Sequence, residues 1–175
     1  MNACSRLERV KVRRAFPQDA AQAGRLFERA FSALLPPAYD EVALAAALPI
    51  LTKPNLELLS SGTYYVAEEN DSLLAFGGWT RERPGTKEIT SGIAHLRHFA
   101  TDPAVARRGI GRAIFRECAL HAEQAGAKTF QVYSSLNAVP FYGGLGLVPI
   151  RSMELSLGPA VSLSVIVMEG PIRTG

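Results

Sequence analysis

Cysteine is nearly missing from this chain: there are two in 175 residues, Cys4 and Cys118, far apart in sequence. Two thiols at that separation make neither a disulfide framework nor the close spacing of a zinc site, so a reducing, cytoplasmic setting without a resident metal is expected. Histidine is scarce too, with three residues, and no Ser-His-Asp or Cys-His pattern marks a protein nucleophile. Long apolar runs are missing. The longest, Val42 to Leu51, is broken by Pro49 and falls well below the roughly 20 residues that span a bilayer, so no membrane association is expected. The N-terminus lacks the apolar core of a secretory signal. One-sided charge is missing as well. Nineteen Lys and Arg against sixteen Asp and Glu give +3, too little to point to nucleic acid in the absence of a basic-aromatic stripe. The clusters Arg13-Arg14 and Arg107-Arg108 suit small anionic ligands as readily as polymers.

What is present reads as one domain over residues 1–175. An apolar fraction of 47% is enough to bury a core without staples. Val10 to Arg14 forms a first strand. Asp19, with Gln22 three residues on, has the pattern of a helix start. Ala23, Leu26, Phe27, Ala30, Phe31 and Leu34 then repeat at the spacing of one buried helix face. Asp40 to Leu48 and Pro54 to Ser60 add short helices. Thr63 to Glu68 and Ser72 to Arg81 are strands joined by a turn at Glu69-Asn70-Asp71. Gly92 to Thr101 is a strand. A helix from Gly111 to about Ala125 carries Ile110, Ile114, Cys118, Ala122 and Ala125 on one stripe, and Gly126 stops it. Thr129 to Ser134 is a strand, Asn137 to Tyr142 a helical turn, and Val148 to Leu157 with Val161 to Met168 a closing hairpin. The order β-α-α-β-β-β-α-β-α-β-β predicts an α/β (α+β) layer domain with a mixed sheet.

The densest signal is Arg107-Arg108-Gly109-Ile110-Gly111-Arg112-Ala113, between a strand and a helix. Glycines on both sides of Ile110 leave the backbone open to close approach. The first turn of a helix has unpaired N–H groups and the positive end of the helix dipole. With three arginines beside it, the segment describes a cradle for phosphate or pyrophosphate. The competing reading is a glycine-assisted turn with surface arginines. The spacing is neither a full dinucleotide fingerprint nor a P-loop.

Downstream stands Asn137-Ala138-Val139-Pro140-Phe141-Tyr142-Gly143-Gly144-Leu145-Gly146-Leu147. Together with the strand end Phe99-Ala100-Thr101-Asp102-Pro103 and the cradle, it resembles the GNAT superfamily of acyl-CoA-dependent N-acyltransferases. The specific motifs cover about residues 93–147, and the order of elements extends the likeness over nearly the whole chain. The resemblance implies a mixed, mostly antiparallel sheet of six or seven strands, with one splayed strand pair forming a slot for the acyl thioester. It implies acetyl-CoA as acyl donor and an amine as acceptor. The backbone of Arg107, Arg108, Gly109, Ile110, Gly111, Arg112 and Ala113 would hold the pyrophosphate. Phe99, Ala100 and Thr101 would pair with the pantetheine arm, and Asn137 would bond that arm or order the turn before Tyr142, against a competing reading as a plain helix cap. The sequence departs from the family at Ala106, where Gln or Arg is usual; the backbone cradle does not need that side chain.

Acyl transfer to an amine requires that the amine lose a proton, that an oxyanion be stabilised, and that the departing thiolate be protonated. An alkyl amine titrates near 10.4 and a thiol near 8.5, so a base is useful at neutral pH. The resemblance implies Tyr142 as general acid, against a reading of plain aromatic packing, which is preferred for Phe141. It also implies a base on the strand before the cradle, about six residues before Thr101, and that place is His95. Its competing reading is a buried, hydrogen-bonded histidine. Alternation along a strand puts His95, Arg97, Phe99 and Thr101 on one face, barring a bulge, with His98 turned away. Arg97 suits an acidic or carbonyl group of the acceptor. His121 and Trp79 read as packing, and Tyr39, Asp40 and Glu41 as solvated helix-end groups.

Two other function classes compete: a non-catalytic acyl-CoA-binding module, which would not need Tyr142, and a nucleic-acid-binding fold. A homodimer through exposed strand edges or the C-terminal hairpin is compatible with this reading.

Overall fold

The structure is a computed structural model that describes residues 9–174; Cys4 lies outside them. The β-strands β1 (Lys11–Arg14), β2 (Tyr64–Glu69), β3 (Ser72–Thr80), β4 (Ile93–Thr101), β5 (Thr129–Ser135), β6 (Val148–Gly158) and β7 (Val161–Pro171) join in one sheet. Its order is β1-β2-β3-β4-β5-β7-β6. The pairing of β4 with β5 is parallel, and the other neighbours are antiparallel. The helices are α1 (Ala20–Leu34), α2 (Glu41–Leu51), α3 (Leu56–Leu59), α4 (Ile110–Gln124) and α5 (Val139–Gly143). The expected α/β class and mostly antiparallel seven-strand sheet are present.

Each sheet face has its own core, which is what period-two alternation demands. On one face α4 lays Ile110, Ile114, Cys118 and Ala122 against Tyr65, Ala67, Trp79, Ala94, Leu96 and Phe130. On the other, α1 lays Ala23, Leu26, Phe27 and Ala30 against Tyr64, Val66, Phe76 and Ala100. The β2–β3 turn is two residues, Asn70 and Asp71, both at positive φ (49° and 61°). Asn and Asp tolerate that region, and a two-residue turn of this hand matches strand twist.

One helix start differs from its sequence reading. The Asp19 side chain does not cap α1. It turns back to accept the Phe16 N–H and both terminal nitrogens of Arg13, each at 2.8–2.9 Å. The bidentate, charge-assisted pair outweighs a neutral cap bond. Gln22, three residues on, reaches across to the β2–β3 hairpin, where it accepts from Leu73 N–H and donates to the Asp71 carbonyl. Asp40, by contrast, caps α2 by accepting the Ala43 N–H at 2.9 Å.

Candidate active site

The parallel pairing of β4 with β5 runs only from Ile93↔Thr129 to Leu96↔Val132. Both strands continue, β4 to Thr101 on β3 and β5 to Ser135 on β7, but apart from each other. From Arg97 onward, one edge of β4 therefore has no strand partner. An open edge of this kind offers N–H and C=O groups to an extended amide chain.

That edge leads into the glycine-flanked cradle. Gly109 precedes α4 in the left-handed region at φ 80°, which a residue with a Cβ adopts at a cost of about 1–2 kcal/mol. No side chain caps the helix, and Ala113 N–H bonds the Gly109 carbonyl at 3.0 Å. The earlier N–H groups of the first turn are free for an anion. A Cβ on Gly111 would lie 3.3 Å from both the Phe141 ring and Thr101 Oγ1, so the helix start, the β4 end and α5 meet there too closely for a side chain unless its neighbours give way. Arg107 is exposed and itself left-handed, at φ 66°. The Arg112 side chain is committed elsewhere and donates to the Gly144 carbonyl at 3.1 Å. A diphosphate on the backbone of residues 107–112, with an extended amide arm along β4, fits this arrangement, while the Ala113 N–H expected in the cradle is spent on Gly109; the site has the uncapped donors, the bare glycines and the open strand edge that coenzyme A requires.

Tyr142 stands at the other wall. It is 5% exposed and packs edge-on against Phe99 (ring centroids 6.1 Å apart) and Phe141 (5.1 Å). Its hydroxyl has no hydrogen-bond partner among the described residues, yet it is not among the polar atoms sealed without one, so its tip opens onto accessible space. Burial pushes its pKa well above the ordinary tyrosine value, which keeps the proton on the oxygen. Asn137 is exposed in a short 3-10 turn, Leu136–Ala138. The residue at the α5 cap is Ala138, so the capping role considered for Asn137 is excluded.

The expected shared face of His95, Arg97, Phe99 and Thr101 is corrected by a bulge. Arg97 opposes Gly78 and Ala100 opposes Phe76, so two residues, His98 and Phe99, face the single Gly77. His98 takes the extra turn at φ 57°, a conformation for which histidine is enriched among non-glycine residues. After the bulge the faces exchange. Phe99 and Thr101 lie on the α4 face, against Gly77 and Gly111 respectively. His95 and Arg97 share the α1 face with His98 and Ala100. His98 is thus not turned away from Arg97. It hydrogen-bonds Tyr64 Oη through Nδ1 at 3.1 Å, and burial, then Arg97, lowers its pKa to about 4. With Phe27, Phe76, Lys53 and Asn55, these two rings line a shallow crevice.

His95 is 2% exposed and occupies the middle of a polar row that crosses four strands: Thr80, His95, Gln131 and Glu169. Gln131 Nε2 donates to Glu169 Oε1 at 2.7 Å, and Thr80 Oγ1 donates to the Glu82 carbonyl. Neither ring nitrogen of His95 has a partner, nor has the buried Nε of Arg83. The hydrogen-bonded reading of His95 is therefore wrong; each such orphan costs about 1–3 kcal/mol. Burial first, then Arg83 and Arg97, hold His95 below the ordinary histidine value, so it is neutral near pH 7. Sequence reasoning overlooked Gln131 and Glu169, although a glutamine inside an otherwise apolar strand is a readable signal. It also gave Tyr39 no role, yet the Tyr39 hydroxyl donates to the Ser164 carbonyl at 2.8 Å and accepts the Leu136 N–H at 2.9 Å. His121 stacks on Tyr65 with ring planes 3° apart, and Trp79 is core, as expected of both.

A sheet parted beside an uncapped, glycine-flanked helix defines a class of enzyme that seats a phosphorylated, thread-like ligand between two strands. The family model described as "Acetyltransferase (GNAT) domain" matches residues 37–156, over two thirds of the sequence. The chain belongs to this GNAT family of N-acetyltransferases. Solved structures share the fold. PaiA N-acetyltransferase from Thermoplasma acidophilum, in complex with coenzyme A, is 14% identical, with a TM-score of 0.71 over 93% of this chain and 98% of that one. A GCN5-related N-acetyltransferase from Rhodopseudomonas palustris is 19% identical, with a TM-score of 0.71 over 92% and 94%. The ribosomal-protein-S18-alanine N-acetyltransferase from Escherichia coli is 19% identical, with a TM-score of 0.61 over 95% and 96%. No curated protein matches the sequence.

Proposed function

We propose that this chain transfers an acetyl group directly from acetyl-CoA to a primary amine. The observation that carries the reading is the parting of β4 from β5 after Leu96 and Val132, next to the uncapped start of α4. Bound acetyl-CoA supplies an activated acyl thioester. The backbone from Arg107 to Arg112 holds its diphosphate, Phe99 to Thr101 offer the free strand edge to its amide arm, and Asn137, exposed in the turn before α5, hydrogen-bonds that arm.

The amine nitrogen bonds to the acyl carbon as the carbon–sulfur bond breaks. One ammonium proton leaves toward neutral His95 before the attack; the second, lost as the amide forms, ends on the departing sulfur, which Tyr142 Oη meanwhile stabilises with a hydrogen bond. Full transfer from a tyrosine of raised pKa to a thiolate near 8.5 is uphill, so Tyr142 acts mainly by donating a hydrogen bond as charge develops. Burial first, then the positive charges of Arg83 and Arg97, keeps His95 deprotonated before the amine arrives.

The test is thiol release from acetyl-CoA across a panel of primary amines, with calorimetry for acetyl-CoA alone. Amine-dependent release above the blank is expected. Tight cofactor binding with no release from any amine would assign the chain to the acyl-CoA-binding class instead.

A further inference from the structure

We infer that the amine acceptor carries a carboxylate, and that Arg97 grips it at the mouth of the slot. This rests on the acyl-transfer reading and names the acceptor class for that site. Arg97 is the first residue past the last β4–β5 pair, so it stands where the sheet opens. Its register with Gly78, over whose backbone the Tyr64 ring lies, puts its side chain on the α1 face, away from α4. It is partly buried, yet it makes no ion pair or hydrogen bond among the described residues. A guanidinium has five N–H donors in a planar fork and no acceptor.

Two neighbouring groups are sealed without partners, while the Arg97 nitrogens are not among the sealed atoms and so reach open space. Both ring nitrogens of His95 and the Nε of Arg83 are enclosed without partners. Arg83 spends a terminal nitrogen on Glu88 at 3.1 Å, which leaves Nε free. Arg97 follows His95 by two residues on the same face of β4, and Arg83 lies three residues beyond Thr80, which pairs with His95; the charges of both arginines reach His95. The acids near it are engaged or exposed: Glu169 accepts from Gln131, Glu88 pairs with Arg83, and Glu82 is exposed. The site is thus rich in donors and short of acceptors. A carboxylate supplies two acceptor oxygens in the plane of a guanidinium fork. A simple alkylammonium ion brings only further donors and positive charge, and a polyamine brings more of both against two arginines. With its carboxylate on Arg97, an amine a few bonds away is directed into the parted strands. Such a carboxylate comes either from the α-carboxyl of a free amino acid or from the side chain of an acidic residue at a peptide terminus.

The experiment titrates product-like probes calorimetrically into the full chain saturated with coenzyme A, so that binding is read without turnover. N-acetyl-alanine, its carboxamide, and N-acetyl-aspartate α-amide are compared. A carboxylate probe is expected to bind at least tenfold more tightly than the carboxamide. Arg97→Gln is expected to erase that preference and Arg97→Lys to keep part of it, while the circular-dichroism spectrum and the denaturant midpoint stay unchanged and certify the fold. Tighter binding of N-acetyl-alanine indicates a free amino acid; tighter binding of the aspartate amide indicates a side-chain carboxylate. Equal binding of carboxylate and carboxamide, no binding of either, or a preference that survives Arg97→Gln overturns the inference. Thiol release is scored separately. Release with carboxylate-free amines and no carboxylate preference overturns this inference alone. Carboxylate binding with no release from any amine overturns the transfer reading alone.

Discussion

Tyr142 and His95 are each held by burial in the protonation state their proposed step needs, but the two make different marks on a pH profile. His95 sits below 6.5, so kcat/KM should rise with pH along a limb whose midpoint lies below 6.5 and be flat above it; His95→Ala should remove the limb. Tyr142 lies well above its ordinary range, so it should contribute no falling limb below about pH 10. Tyr142→Phe should lower kcat by about 10²-fold with little change in KM for acetyl-CoA, as steady-state thiol release would record. His98 leaves its mark on stability. Its folded pKa of about 4 lies under the 6.5 of an unfolded histidine. The unfolded chain therefore binds more protons between those values, and stability falls as the pH drops from about 7 to 4. Allowing for its partial exposure, the loss is on the order of 2 kcal/mol. Urea titrations at stepped pH should show His98→Gln with a flatter slope over that window.

At the scale of elements, glycine decides where parts meet. A Cβ on Gly109 would touch nothing within 4 Å, so Gly109→Glu acts on the ligand and on φ more than on packing. Calorimetry should show acetyl-CoA binding weakened by at least tenfold, with the negative charge opposing the helix dipole's anion site. Gly78 is the opposite case. A Cβ there would come within 2.4 Å of the Tyr64 ring, and Gly78→Ala should lower stability by about 1–3 kcal/mol, measurable as a lower denaturant midpoint. The cradle was legible in the sequence because its chemistry is local: glycines, arginines and a helix stripe within a few residues. The bulge at His98 was not, because no residue type demands it. It arises from how Phe99 and His98 settle against Gly77 and Tyr64 across the sheet. A one-residue bulge exchanges the faces of everything after it, and so the expected row from His95 to Thr101 was half right.

Across the whole molecule, element order and class could be read from periodicity, since each helix and strand buries a face of its own. The polar row Thr80, His95, Gln131 and Glu169 could not, because it joins four strands whose register only the folded sheet sets. The parting of β4 from β5 has a mechanical consequence. Strands β1 to β4 form one leaf and β5, β7 and β6 another, and along their seam only four registered pairs, Ile93 to Leu96 against Thr129 to Val132, stitch the leaves. A short parallel seam is the place where such a molecule flexes, and a thread seated in the gap acts as a wedge that stiffens it. Hydrogen exchange at the amides of residues 93–96 and 129–132 should therefore slow on adding coenzyme A, although none of those eight residues belongs to the cradle that grips it.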